Sequence, residues 1–355
     1  MDHAVTAIVR FCRLARSNGV SRLEAFATSA VRDASNGGEM ISAIHSMTGV
    51  EVRILDGQME AQLSADALRR GLYIENGIIA DLGGGSLELA VLRDGKTRDM
   101  ISLPLGTVRL QSRLKGDMKK MRETIAAELD SVKWLGDHAG NGLFPIGGAW
   151  RAFARLKIQD SDYPLDIIHG YTVQTASALE TASLLTGFSK QSLMGLDSVV
   201  SQRRLSLPLA GLLLKELIDR SRPGEITFSA VGAREGYVYQ HMAPDRVADD
   251  PLVAAAAAFA LRDGRFGNAA EGLLQWLSPV VPTGNRRRRR LQFAVCAISD
   301  MAWREHPDYR ASFAFDRTIQ YPFFGITHTE RAFLALAVYL RYGGKSADRP
   351  RVTSG

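Results

Sequence analysis

Val5, Ile8, Val9, Cys12 and Ala15 recur at helical spacing, with Arg10, Arg13 and Arg16 on other faces. This pattern predicts an amphipathic helix over residues 3–17. A short strand is expected at 23–28. A loop and helix follow from Ala30, with a break at Asn36-Gly37-Gly38. Residues 50–55 read as a second strand and 59–72 as a helix. In 78–91 (IIADLGGGSLELAV), Ile78, Ile79 and Leu82 precede a glycine turn, and Leu87, Leu89 and Val91 alternate after it. That is strand, turn, strand. A strand-loop at 101–109 and a helix at 118–135 come next. A strand at 143–146 runs into Gly147-Gly148. Helices are expected at 148–157, 172–186 and 206–220, then a strand at 226–228 and a helix over 232–240. Strands alternating with helices make an α/β pattern with loops at the strand ends.

The pattern changes past Met242. Pro244 and Pro251 mark a boundary, and 251–345 is almost wholly helical apart from breaks at 278–285 and 321–327. The expected division is an α/β lobe at 1–75, a second α/β lobe at 76–243 and an all-α domain at 244–355.

Composition narrows the class. Hydrophobic residues at 46% and charged residues at 23% are those of a globular protein, and 355 residues suit two or three domains. No apolar run approaches the roughly 20 residues of a membrane span. The longest, at 251–261, is alanine-rich and reads as a packed helix. No secretory apolar region is expected. The first helix resembles a targeting presequence only superficially, because a strand follows it directly. Cys12 and Cys296 both sit in apolar helical contexts and read as buried free thiols, so a reducing cytoplasm is the simplest compartment. The net charge of +6 favours a polyanionic partner.

The candidate chemistry centres on Gly83, Gly84, Gly85 and Ser86. Glycines can turn sharply and leave backbone N–H groups uncovered, and such a nest binds phosphate. Asp81 and Glu88 flank it, as carboxylates do where a divalent cation lies beside phosphate. Taken alone, the segment is equally an ordinary hairpin tip. No Gly-Lys-Ser/Thr follows, which excludes a P-loop, and a strand rather than a helix follows, which excludes a dinucleotide fingerprint. Arg32, near a strand end, has a fork suited to phosphate oxygens, or is a surface arginine. Glu60, in a first helical turn, compensates the helix dipole or acts as a general base toward water. In FPIGGAWRAFARL (144–156), Gly147 and Gly148 open a helix that is a second anion site or ordinary packing, and Trp150 and Arg151 stack on a base or line a channel. Arg234 lies in a similar turn, SAVGAREGYVYQ (229–240), which reads equally as structural.

Arg286–Arg290 is a run of five arginines with no aromatic interleaving. It reads as a solvated helix start, as a surface for RNA, polyphosphate or an anionic membrane, and not as sequence-specific nucleic-acid recognition. The seven histidines show no metal-ligand spacing, and Ser299-Asp300 stands where a helical phosphohydrolase would carry His-Asp.

Together, ATSAVRDASNG, ILDGQMEAQL, IIADLGGGSLEL, SLPLGTVRL, PIGGAWR and SAVGAREG resemble, in order, the exopolyphosphatase and guanosine pentaphosphate phosphohydrolase family. The tail, through SDMAWREHPDYRA and THTERAFLALAVYLRYGG, resembles its helical, degenerate HD-type domain. The resemblance implies a two-lobed α/β fold of the actin, Hsp70 and sugar-kinase superfamily with a C-terminal all-α domain. It implies Glu60 as catalytic base. Arg32, Gly83, Gly84, Gly85, Ser86, Gly147 and Gly148 would contact phosphate, and Asp81 and Glu88 would lie at a divalent metal, Mg²⁺. Inorganic polyphosphate is the implied substrate, with guanosine pentaphosphate as the rival. A homodimer follows by analogy. An ATP-using kinase or chaperone of the same superfamily and a non-catalytic polyphosphate sensor are the further alternatives.

The family's first phosphate loop, on an opening hairpin, is not found in this sequence. The expected causes are a start assigned too late (preferred), a truncation, or a non-catalytic descendant. With half a clamp and an incomplete first lobe, low stability of that lobe and weak activity are expected.

Overall fold

The computed structural model describes residues 1–345 apart from 197, 198, 200, 244, 245, 247, 248, 268 and 283. Pro244, expected at a boundary, lies outside the described residues.

The first part of the chain is small. β1 (Ala25–Ala27) and β2 (Val52–Ile54) pair in parallel, Ala25 opposite Val52. α1 (Asp2–Ser17) and α3 (Gly37–Thr48) pack on them through Val5, Val9 and Ile44, and the short α2 (Ser29–Arg32) follows β1. Two strands bury little apolar surface alone, so contacts with the rest of the chain matter here. The Tyr237 hydroxyl donates to Glu24 at 2.6 Å, and the Phe26 and Tyr237 rings lie 5.0 Å apart.

The centre is a six-stranded sheet in the order β5-β4-β3-β6-β8-β7. β3 (Gly77–Leu82), β4 (Leu87–Arg93) and β5 (Lys96–Leu103) form an antiparallel meander. β6 (Leu143–Ile146) runs parallel to β3, and β8 (Glu225–Phe228) parallel to β6. β7 (Tyr171–Gln174) closes the other edge antiparallel to β8. Both faces are covered. On one, Ile78, Leu87, Leu89 and Val91 join a large core with α6 (Met118–Asp130), α7 (Gly148–Asp160), α8 (Thr175–Thr186) and α11 (Leu207–Ser221). On the other, Ile79, Ala90 and Leu92 meet Ala61, Ala65 and Leu68 of α4 (Gly57–Gly71), and α12 (Ala233–Gln240) packs on α4. Burial of both faces explains why β3 and β4 read as nearly continuous apolar runs. α5 (Thr107–Leu114) follows β5, and the short α9 (Lys190–Met194) and α10 (Ser201–Arg204) precede α11.

From Pro251 the chain is helical: α13 (Pro251–Asp263), α14 (Ala270–Leu277), α15 (Arg286–Ile298), α16 (Arg310–Gln320) and α17 (His328–Arg341). Leu252, Phe259, Ala294, Ile298 and Leu334 lie in their common core.

Several elements differ from expectation; the helix expected at 118–135, for one, ends at Asp130, and Lys133–His138 is a separate 3-10 turn. β5 begins at Lys96, not near 101: its first half is a polar edge strand with no apolar signal. Residues 107–114 form α5 rather than a loop. Residues 171–174 form a strand, alternately buried and exposed, that runs straight into α8, so strand and helix read as one helix. Gly37-Gly38 open α3 rather than break the chain; a Cβ on Gly37 would lie 2.1 Å from Val31 C=O, so the close approach of α2 favours glycine there.

Candidate active site

The glycine turn closes β3 to β4. Asp81 and Glu88 are directly opposed across the pair, Leu82 and Leu87 follow, and Gly83 N–H donates to Ser86 C=O at 3.0 Å. None of Gly83, Gly84 or Gly85 has a positive φ, so backbone freedom is not what the turn requires. Close approach is. A Cβ on Gly85 would lie 2.6 Å from Ser29 Oγ, whereas one on Gly84 would make only ordinary contact with Val108 at 3.5 Å.

α5 sets the direction of the turn's peptides. Thr107 N–H donates to Gly83 C=O at 3.1 Å. Val108 and Arg109 N–H groups donate to Gly84 C=O at 2.9 and 3.0 Å, and Arg109 Nε to Gly85 C=O at 2.6 Å. The unpaired N-terminal amides of a helix are thereby satisfied. A trans peptide points its N–H opposite to its C=O. The N–H groups of Gly84, Gly85 and Ser86 therefore face away from α5, and they donate to nothing among the described residues. Three consecutive free amides form an anion nest.

α4 brings the candidate base to this turn. Asp56 caps the helix, accepting from Met59 N–H at 2.7 Å, which places Glu60 in the first turn, 8% exposed. Glu60 Oε1 accepts from Arg32 Nη1 at 2.7 Å, and the same nitrogen donates to Leu55 C=O at 2.5 Å. Burial raises the Glu60 pKa above the usual carboxylate range. The Arg32 guanidinium opposes the rise, and Asp81 and Asp33 add to it.

Asp81 keeps some surface exposure but is packed densely enough that burial raises its pKa. Ser64 Oγ, donating at 2.5 Å, and the nearby Arg151 restrain the rise. Glu88 is 4% exposed and pushed up to about 8, first by burial and then by the charges of Asp81 and Glu60. Ser102 Oγ donates to it at 2.8 Å. The Ser86 hydroxyl sits near enough to restrain Glu88 electrostatically, yet it is buried and makes no hydrogen bond of full geometry.

These residues fit Mg²⁺ of one kind. Two hard carboxylates and an unpartnered buried hydroxyl suit an ion that keeps several waters and shares substrate phosphates. They do not make a protein cage: among the described residues no three His, Cys, Asp or Glu side chains are grouped to hold a metal.

The structure brings Arg32, Glu60, Asp81, Glu88 and the glycine turn together. Gly147 borders them: its φ is +106°, and a Cβ there would meet Leu82 C=O at 2.2 Å, so β3 and the start of α7 touch directly. Gly148 faces the guanidinium of Arg203. Trp150 is not a stacking residue. It is fully buried, and its indole N–H donates to Ala210 C=O at 2.9 Å. Arg151 donates to Ala230 C=O at 2.9 Å. Arg234 is exposed, while Glu235 caps α12 by accepting from Gly232 N–H at 2.8 Å, a structural turn. The arginine run is not a uniformly free surface either. Arg287 pairs with Glu330 at 2.6 Å, and buried Arg290 pairs with Asp250 at 2.6 Å.

Sequence reasoning missed Arg109. Besides Gly85 it ion-pairs with Asp33, which also contacts Arg32 Nε at 3.4 Å. Arg109 thus ties the turn to α2. Its position just after Gly106-Thr107, beside a phosphate-type turn, was the available signal.

Residues 1–244 match the Ppx/GppA phosphatase family, and residues 252–351 match the exopolyphosphatase C-terminal family. Exopolyphosphatase 1 of Mycobacterium tuberculosis is 39% identical over 136 residues, 38% of this chain and 39% of that protein. Retrograde regulation protein 2 of Saccharomyces cerevisiae is 26% identical over 377 residues, 96% of this chain and 62% of that protein. Both alignments span less than two thirds of the relative. Among solved structures, an exopolyphosphatase from Cytophaga hutchinsonii superposes with a TM-score of 0.62 at 21% identity, over 68% of this chain and 81% of the other. The Aquifex aeolicus family member gives 0.57 at 21% identity, over 68% and 80%. These likenesses, over 68% of this chain, show the fold, an actin-like α/β fold, and the helical C-terminal region is the part matched by the exopolyphosphatase C-terminal family. By the match over residues 1–244, the chain belongs to the Ppx/GppA phosphatase family.

Proposed function

We propose that this chain hydrolyses the terminal phosphoanhydride of inorganic polyphosphate. The observation that carries the reading is a buried carboxylate, Glu60, close enough to feel the charges of Asp81 and Glu88, which flank a glycine turn with three free amides. Gly84, Gly85 and Ser86 N–H groups hold the terminal phosphate. Arg32, paired with Glu60 in this structure, moves part of its hydrogen bonding to phosphate oxygens and frees the carboxylate. Glu60 orients a water and accepts its proton as the oxygen attacks phosphorus in line. The bond to the bridging oxygen breaks, and the shortened chain leaves with that oxygen. Mg²⁺ held at Asp81 and Glu88 would neutralise phosphate charge. Positioning and charge stabilisation supply most of the rate in such transfers.

The test is phosphate release from long-chain polyphosphate with Mg²⁺. Turnover that disappears in Glu60→Gln while polyphosphate still binds supports the reading, and undiminished turnover in Glu60→Gln ends it. Binding without turnover in the unsubstituted chain replaces hydrolysis with sensing. Guanosine pentaphosphate presents the same terminal anhydride, and competition between the two substrates on one preparation decides which is preferred.

A further inference from the structure

The helical region holds a second cavity system, remote in sequence from the glycine turn. One cavity of about 320 Å³ lies among α14, α15 and α17, walled by Leu273, Leu277, Val295, Cys296 and Val338. Phe266, Asp300 and Arg341 line it too, and the same three residues line an adjoining polar cavity of about 390 Å³. The two cavities thus share one wall, the first lined mainly by apolar and the second mainly by polar side chains.

The polar end is cationic. Arg265 lies over the rings of Phe266 at 5.0 Å and Trp303 at 6.0 Å, and Arg341 over Tyr342 at 5.3 Å. Neither has an ion-pair partner among the described residues. Arg310, among the described residues, donates only to neutral acceptors, Glu305 C=O at 2.9 Å and Trp303 C=O at 3.1 Å. Among the described residues Asp300 is the one carboxylate lining these cavities. Its Oδ2 is committed to Arg265 N–H at 2.6 Å and Phe266 N–H at 3.3 Å. Three guanidiniums facing one carboxylate attract an anion. At the rim Trp276 is 75% exposed, an aromatic surface without cover.

We propose that these adjoining cavities bind an amphipathic organic anion, its apolar tail against Leu273, Val295 and Val338 and its phosphate or carboxylate held by Arg265 and Arg341. The size and mixed lining are those of small-molecule sites. A purine base fits the apolar end poorly, because nothing there is free to read its edge. Ser299 Oγ already donates to Cys296 C=O at 2.9 Å.

The experiment titrates the full chain calorimetrically with decyl phosphate below its micelle concentration, beside hexyl phosphate and inorganic phosphate. The expected result is a single site that tightens with chain length, by up to about fourfold per buried methylene. Arg265→Ala, an exposed position that folding tolerates, weakens both alkyl phosphates by about tenfold. Ala269→Trp fills the apolar end and removes the chain-length dependence. Decyl phosphate binding no tighter than inorganic phosphate overturns the proposal, as does binding unchanged in Arg265→Ala, which would place the ligand elsewhere. So does a dimer that Trp276→Ala dissociates and decyl phosphate leaves intact, since this face would then belong to a second copy. Tighter binding of guanosine monophosphate than of decyl phosphate also overturns it.

Discussion

Arg32 Nη1 and Glu60 Oε1 lie 2.7 Å apart, joining the end of α2 to the first turn of α4 across the mouth of the glycine turn. The pair holds the candidate base and a candidate phosphate ligand in one hydrogen bond, so each side chain controls the other. Glu60→Gln keeps an acceptor for Arg32 but removes the proton acceptor. Phosphate release is expected to fall by about 10²-fold or more, with the thermal midpoint held or raised because a buried charge is gone. Phosphate-release rates and circular-dichroism melts check both halves. Arg32→Ala is expected to cost stability as well, since it leaves the Glu60 carboxylate buried without its partner.

The glycine turn predicts a contrast within one motif. Gly84→Ala has room, with Val108 at 3.5 Å, and is expected to melt within about 0.5 kcal/mol of the unsubstituted chain. Gly85→Ala drives its methyl toward Ser29 Oγ at 2.6 Å, on a side chain that is short and buried. A loss of about 1–3 kcal/mol follows from such overpacking. Denaturant midpoints of the two proteins should differ accordingly, and equal midpoints would show that the turn is not clamped by α2.

How much of this was legible in the sequence depends on the kind of signal. β3, the turn and β4 were readable because both strand faces are buried and the turn residues are unusual. Arg32 and Glu60 were readable only through their motifs, since nothing in their spacing says that they meet. Ser64, Ser102 and Arg109 were not readable. They are ordinary polar residues whose importance comes from contacts to Asp81, Glu88 and Gly85 across 14 to 24 positions of chain. Trp150 misled for the converse reason. An aromatic residue beside two glycines looks available to a ligand, but the turn of α7 carries it into the core, where Ala210 C=O satisfies its N–H.

Arg109 is a positioning residue, and its test must separate position from fold. It uses one edge of its guanidinium to hold two partners, Nε toward Gly85 C=O and Nη2 toward Asp33. Arg109→Lys supplies only a point charge and is expected to rescue poorly, with kcat/KM about tenfold below that of the unsubstituted chain. Asp33→Asn should reproduce part of the loss. If Arg109→Lys restores full kcat/KM, the two-donor contact is not what orients the turn.

His328 gives the fold a pH dependence of definite sign. It opens α17 and is 6% exposed, with Nε2 3.1 Å from His169 C=O and Nδ1 3.1 Å from the Tyr163 hydroxyl. A carbonyl only accepts, so Nε2 carries the proton and Nδ1 accepts from Tyr163. Burial pushes the imidazole down to about 4, and the neighbouring Arg331 and His169 add to the fall against the opposing His169 carbonyl contact. A positive charge at a helix N-terminus is also unfavourable. Between the unfolded value near 6.5 and the folded value of about 4, the unfolded chain binds more protons. Stability from His328 is thus complete above about pH 6.5 and is lost as pH falls toward 4, by an amount on the order of 3 kcal/mol. Denaturant unfolding from pH 7 to pH 4 should show this slope, and it should flatten in His328→Gln. An equal slope in both proteins would assign the acid sensitivity to other groups, with buried His169, also held below its usual value, the first to examine.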